Sequence, residues 1–195
     1  MARKNKESKN QKKSVYIIGE GLTEQYYFQH LKRIKGYACS IKPRLFDNTS
    51  ILNFEKKIDE LINEEADIIC VFDADVLKRN PVENERLQNL KHKYADNNRV
   101  LICDSLQCIE YWFILHYEDI CPFHNNAKET VKRLKAHIPD YNKSEQYLKK
   151  PQWVKSMNMG DSLPNACERA KRHDGRASYT KVYKAINRLD ETVKQ

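Results

Sequence analysis

Two aspartates one residue apart, Asp73 and Asp75, close the apolar run IICVF at Ile68–Phe72. Alternate residues of an extended chain point the same way, so the pair can converge on one divalent cation. Other acids share this setting. Glu20 and Glu24 follow the run SVYIIG at Ser14–Gly19, and Glu110 follows RVLIC at Arg99–Cys103. Carboxylates crowded into one place repel one another unless a cation neutralises them. Hard oxygen ligands suit Mg²⁺ or Mn²⁺, with a phosphate completing the coordination. Two such ions can activate water and stabilise the leaving oxygen of a phosphodiester. Each acid also has a plainer reading. Asp often opens a turn, Glu24 can serve as a helix N-terminal charge, and Glu110 can pair with a lysine.

Bringing these acids together requires the apolar runs to be neighbouring parallel strands. Ile68–Phe72 has no polar break, which reads as a strand buried on both faces. In open α/β sheets, ligands bind beyond the carboxyl ends of such strands. Between the runs lie helical patterns. One runs from Thr23, a candidate N-cap, to Lys35, ending at Gly36, and others span Ser50–Glu65 and Pro81–Asn97. Ala38–Phe46 reads as a second strand, at an edge because Pro43 interrupts it. Ser105–Tyr117 reads as a mostly buried helix. It sets Glu110 about one and a half turns in, facing the acids, with Trp112 and Leu115 turned elsewhere. The alternation predicts an α/β fold with a mostly parallel sheet flanked by helices. Beyond Cys121 no strand is expected. Asn126–His137, Ser162–Arg172 and Tyr179–Leu189 look helical, and Lys143–Gly160 irregular. The organisation expected is a disordered basic tail over 1–13, an α/β domain over 14–125, and a helical extension over 126–195 packed on it.

The 195 residues suffice for a real core, and their charge is unevenly spread. Residues 1–13 hold six Lys/Arg and one Glu, residues 14–126 hold 13 basic and 18 acidic residues, and residues 127–195 hold 16 basic and eight acidic. An acidic centre between basic flanks suits a cation site served by a surface attractive to polyanions, so nucleic acid is the expected partner. Lysine-rich helices also commonly just face solvent. No apolar run reaches membrane-spanning length and no signal peptide opens the chain, so a cytoplasmic location is expected. Six scattered cysteines suggest no disulfide framework.

EGLTE at Glu20–Glu24, VFDAD at Val71–Asp75 and SLQCIEYWFILHY at Ser105–Tyr117 resemble the motifs of the RloB-like proteins, a Toprim-type family. The late segment ASYTKVYKAINRL resembles the family's C-terminal helix. Where such families often carry Asn-Pro after the serine, Leu106-Gln107 stands here. The resemblance implies a Toprim fold and a metal-dependent nuclease site similar to that of OLD-type nucleases. It also implies a role in bacterial anti-phage defence by abortive infection, beside an ATPase. With no GxxxxGK[ST] run, the chain is not itself that ATPase. Carried over by position, Glu20 is the catalytic or metal-binding glutamate. Asp73, also a catalytic candidate, and Asp75 are metal ligands, and Glu24, Ser105 and Glu110 form a second ion site. Lys143 is a candidate for stabilising developing charge.

Rival patterns exist. Asp73–Val76 fits the first motif of haloacid-dehalogenase phosphatases and Gly160–Asn165 their late acidic motif, but no apolar strand precedes the latter. Gly160–Leu163 matches the block of GDSL-type serine esterases, where Ser162 more simply caps a helix. Cys108, His116, Cys121 and His124 match no standard zinc spacing. A third class is a binding module whose carboxylates serve structure while a partner does the chemistry.

Overall fold

The computed structural model describes residues 14–42, 50–74, 80–121 and 126–193. The expected tail over 1–13, Pro43, Asp75 and His124 lie outside these residues. Apolar periodicity builds the elements largely where the sequence places them. Strand β1 is Val15–Gly19, helix α1 Leu22–Lys35, β2 Ser40–Lys42, α2 Ile51–Ile62, β3 Asp67–Asp73, α3 Pro81–Lys93 and β4 Val100–Leu106. Then come α4 (Glu110–Ile114), α5 (Ala127–Leu134), α6 (Glu145–Leu148), α7 (Gln152–Met157), α8 (Ser162–His173), β5 (Tyr179–Thr180) and α9 (Val182–Val193).

The sheet runs β2-β1-β3-β4-β5, parallel except for the antiparallel pair β4–β5. Strand β3 lies at its centre, which is why Ile68–Phe72 carries no polar residue. Ile69 and Val71 pack into one apolar cluster with α1, α4, α7, α8 and α9. Ile68, Cys70 and Phe72 pack into a second, with α2 and α3. A strand clothed on both faces needs apolar side chains at every position, not at alternate ones.

Four expectations need correction. Ser105–Tyr117 is not one helix: Ser105 and Leu106 extend β4, and only Glu110–Ile114 is α-helical. A segment apolar on every side fits either period, and pairing with β5 decides it. The α1 cap is Gly21, with Thr23 inside the helix. Tyr179–Thr180 adds a strand where none was expected, and α9 begins only at Val182. The irregular stretch from Lys143 to Gly160 contains α6 and α7.

The C-terminal helices do not sit apart from the sheet. Trp153 of α7 is buried against the rings of Tyr27, Phe113, Tyr141 and Tyr147, and its indole N–H donates to the Leu148 carbonyl at 3.2 Å. On the other face of β4, buried Asp104 accepts from Lys91 of α3 at 2.8 Å and from the Tyr179 hydroxyl at 2.7 Å, with Lys181 at 3.1 Å. Burial opposes ionisation of Asp104, but the two ammonium groups and the phenol overcome it and hold its pKa below the usual carboxylate range. Truncating Trp153→Ala should cost about 3–5 kcal/mol, as for other buried aromatics. Urea unfolding should then show one transition at lower denaturant. Two separate transitions would instead show that the helices fold as a unit of their own.

Candidate functional site

Two strand ends and two helix starts bring acids to the same edge of the sheet. At the end of β1, the Glu20 N–H donates to the Val71 carbonyl at 3.1 Å. Its carboxylate Oε2 accepts from the Asp73 N–H at 2.9 Å. The first two acids are thereby tied across the β1–β3 pair. Glu24 lies in the first turn of α1, where its Oε2 accepts from the Gly21 N–H at 2.9 Å and closes the helix entry. Gly19 makes this approach possible, because a Cβ there would stand 2.7 Å from the Cβ of Glu24. Asp73 Oδ1 accepts from the Ile109 N–H at 2.8 Å, which draws the start of α4 over β3. Next along, Glu110 Oε1 accepts from the Tyr141 hydroxyl at 2.7 Å and from Lys143 Nζ at 2.8 Å. Glu110 is 0% exposed, and its Oε2 is buried without a hydrogen-bond partner.

Burial and mutual repulsion set the titration of these groups. Burial pushes the Glu24 carboxyl up to about 7, with the charges of Glu20 and Glu110 adding to the rise. Asp73 is pushed well above the usual range by burial and by Glu24, Glu110 and Glu20, while Lys143 partly opposes the rise. Burial would lower the Lys143 pKa, but Glu110 outweighs it and holds the ammonium charged. Glu20, Gly21, Leu22, Thr23, Glu24, Asp73 and Lys143 line an open pocket of about 310 Å³. Lys143 is half-exposed at its mouth.

The structure thus brings Glu20, Glu24, Asp73, Glu110 and Lys143 together. The plainer readings hold as well: Glu24 does close a helix start, and Glu110 does pair with a lysine. Glu110 stands in the first turn of α4, not one and a half turns into a helix. It points to the acids, while Trp112 donates to the Tyr27 hydroxyl and Leu115 joins the core. Ser105 faces Asp73 across β3–β4, and its hydroxyl shares a 2.8 Å hydrogen bond with Thr180. Among the described residues, no three Asp, Glu, His or Cys side chains are already grouped as metal ligands. The chemistry of the donors nevertheless fits a hard cation: all are carboxylates, one with a buried oxygen that no described residue hydrogen-bonds. Gly19, the Ile109 amide and Tyr141 escaped the sequence reading. The Gly19–Glu20 pair after β1 was a visible signal for the first, and nothing local marks the other two.

The rival patterns fall apart spatially. Asp161 follows helix α7, not a strand. The Ser162 hydroxyl does not cap α8: it donates to the carbonyls of Met157 and His116. His116 Nδ1 lies 2.8 Å from the Met157 carbonyl and 3.2 Å from Ser162 Oγ. Pointing its N–H at a carbonyl, that nitrogen cannot act as a base toward the serine. Cys121 donates to the Ser178 carbonyl, and His116 meets Met157 and Ser162 instead.

A family model described as RloB-like protein matches residues 15–189, nearly the whole chain. No curated protein and no solved structure matches.

A carboxyl whose pKa is higher in the folded chain binds its proton more tightly there, so its ionisation opposes folding. For Glu24 the contribution is absent below the unfolded value of 4.5 and is a growing loss of stability up to about 7. In EDTA, the chain should lose stability as pH rises through that window, and Glu24→Gln should flatten the loss. A melting temperature whose pH dependence is the same in both proteins would refute the shift.

Proposed function

The chain belongs to the RloB-like family, and from that premise we propose that it is a divalent-metal-dependent nuclease that hydrolyses nucleic-acid phosphodiesters. One observation carries the reading. Glu20, Glu24, Asp73 and Glu110 are held at the carboxyl edge of a parallel sheet, beside a pocket that the Lys143 ammonium also lines. Carboxylates that raise one another's pKa in the absence of a counter-ion make a strong site for a cation.

Glu20 and Asp73 are the residues that would hold a first Mg²⁺ or Mn²⁺, with Asp75 as a further ligand. Glu24 and Glu110 would serve a second ion. Bound there, the metal supplies water activation and neutralises charge on the leaving oxygen. The chain's own residues do the positioning. The Ile109 N–H holds one Asp73 oxygen, and the Asp73 N–H holds Glu20, so the first two acids cannot swing independently. Tyr141 orients Glu110 through its hydroxyl. Lys143 sits where it can donate to a phosphate oxygen of the substrate, which would exchange its Glu110 partner for a ligand one. Among the described residues no helix is long and apolar enough to cross a membrane. Defence against phage beside a partner ATPase is the setting we propose, on the strength of the motif resemblance.

Purified protein should cleave nucleic acid with Mn²⁺ or Mg²⁺ and not with EDTA. Asp73→Asn should lower the rate by about 10²–10³-fold, the scale for removing one preorganised electrostatic contact. Glu110→Gln should lower it too, with the circular dichroism of both variants unchanged. Cleavage that survives Asp73→Asn in full would assign the chemistry elsewhere. The same titration read by melting should show Mn²⁺ stabilising the wild-type chain more at pH 7.5 than at pH 5, because protons compete for these carboxylates.

A further inference from the structure

A second pocket adjoins the carboxylate pocket, and we infer that it takes one unpaired nucleotide next to the scissile phosphodiester, which makes single-stranded nucleic acid the substrate class. The inference rests on the nuclease reading and deepens it. The pocket measures about 390 Å³, within the range of built small-molecule sites. Lys128, Val131 and Lys135 come from α5 and the residue after it, spaced three and four apart and so on one face. Seven residues of helix rise set the Lys128 and Lys135 Cα atoms about 10 Å apart along the axis, with Val131 between them. Ala127 extends the apolar wall, and the buried Tyr141 forms the floor. Among the described residues, no carboxylate lines the cavity.

An apolar slot flanked by ammonium groups matches a nucleotide, whose base is flat and weakly polar and whose phosphates are anionic. Lys143 lines both pockets, so a phosphate bound at that lysine places its neighbouring nucleotide against Val131. Tyr141 joins them a second time, through its 2.7 Å hydrogen bond to Glu110. Local hydrogen bonds shape the loop carrying both residues: Asn142 donates to the Asp140 carbonyl at 3.1 Å and accepts from the Ser144 N–H at 3.0 Å. A base paired in a duplex cannot enter such a slot without leaving its stack, which costs a few kcal/mol. Three arginines of the same flank are committed to the fold. Arg133 is bonded to Glu118, Arg172 to Asp119 and Arg169 to the Leu115 carbonyl, whereas Lys128 and Lys135 are exposed at the pocket rim.

The test is fluorescence anisotropy of the full chain with Mg²⁺, in the Asp73→Asn background so that the probe stays intact. The probes are fluorescein-labelled mixed-sequence single-stranded DNA and RNA, and the DNA annealed to its complement. Single strands should bind at least about tenfold tighter than duplex, within the stacking contribution of one base. Val131→Trp, which fills the slot, should remove that preference and leave duplex binding unchanged. Lys128→Glu with Lys135→Glu should weaken single-strand binding and reduce the log–log salt slope by about 1.4, at about 0.7 per phosphate contact. Both lysines are exposed, so this pair decides the matter if Val131→Trp fails to fold. Equal affinity for single strand and duplex overturns the inference. So does single-strand binding and salt slope unchanged by the lysine pair. Should the wild-type chain cleave nothing with Mn²⁺ while the single-strand preference and its loss hold, the nuclease reading falls and the pocket's ligand stands. Cleavage with no effect of either variant on binding leaves the nuclease and removes the pocket.

Discussion

Burying several carboxylates at one end of a sheet is the constraint around which this structure is arranged. An ionised group removed from water loses solvation that the protein must replace, and like charges nearby make the loss larger. The structure replaces it in pieces. Backbone N–H groups of Gly21, Asp73 and Ile109 each take one oxygen, and Tyr141 and Lys143 take Glu110. These donors are enough to hold the side chains in place, and insufficient to keep them all ionised: Asp73 and Glu24 both bind protons more tightly than free carboxyls. Among the described residues the site is short of positive charge, and that is what the proposed cation would supply.

That shortage explains why the C-terminal helices cannot be an optional appendage. The ends of β1 and β3 and the starts of α1 and α4 supply the acids, and the partners of Glu110, Tyr141 and Lys143, come from the chain between α5 and α6. The loop holding them is positioned by the aromatic cluster beneath it, where Tyr141 and Trp153 meet Phe113 of α4 and Trp153 reaches Tyr27 of α1. Packing therefore fixes electrostatics here. A void under Tyr141 would move the hydroxyl that orients Glu110, with no change in any acid.

The acids of β1 and β3 were legible in the sequence because each follows a short apolar run, and neighbouring parallel strands deliver their carboxyl ends to one edge. Glu110 was legible by motif, but the path to it was not. SLQCIEYWFILHY is buried on all sides, so its apolar residues report burial and not period, and a strand end, a turn and a short helix were read as one helix. Strand β5 is two residues long, too short to show alternation, and exists because Leu106 and Ser105 offer it a ladder. Tyr141 is 31 residues from Glu110, and no local pattern announces a contact at that separation. Gly19 is the converse case. Its missing side chain matters only because Glu24 of α1 folds back onto it, which the helix start determines.

The basic residues divide along the same physical line. On sequence alone the C-terminal flank is one positive region, and every Lys and Arg in it counts equally toward a polyanion surface. In the fold, guanidinium groups serve the protein: Arg133, Arg169 and Arg172 bind carboxylates and a carbonyl, the planar, multidentate work for which Arg is suited. Three lysines near the acids behave differently. Lys128 and Lys135 stand exposed along one face of α5, and Lys143 stands between two pockets with one carboxylate partner. An ammonium on a flexible stem can leave such a partner for a phosphate without unravelling a helix, whereas removing Arg133 from Glu118 would strip both its hydrogen bonds at once. Net charge thus overstates the surface available to a polyanion. The lysines nearest the acids, and not the whole flank, set where a strand would lie.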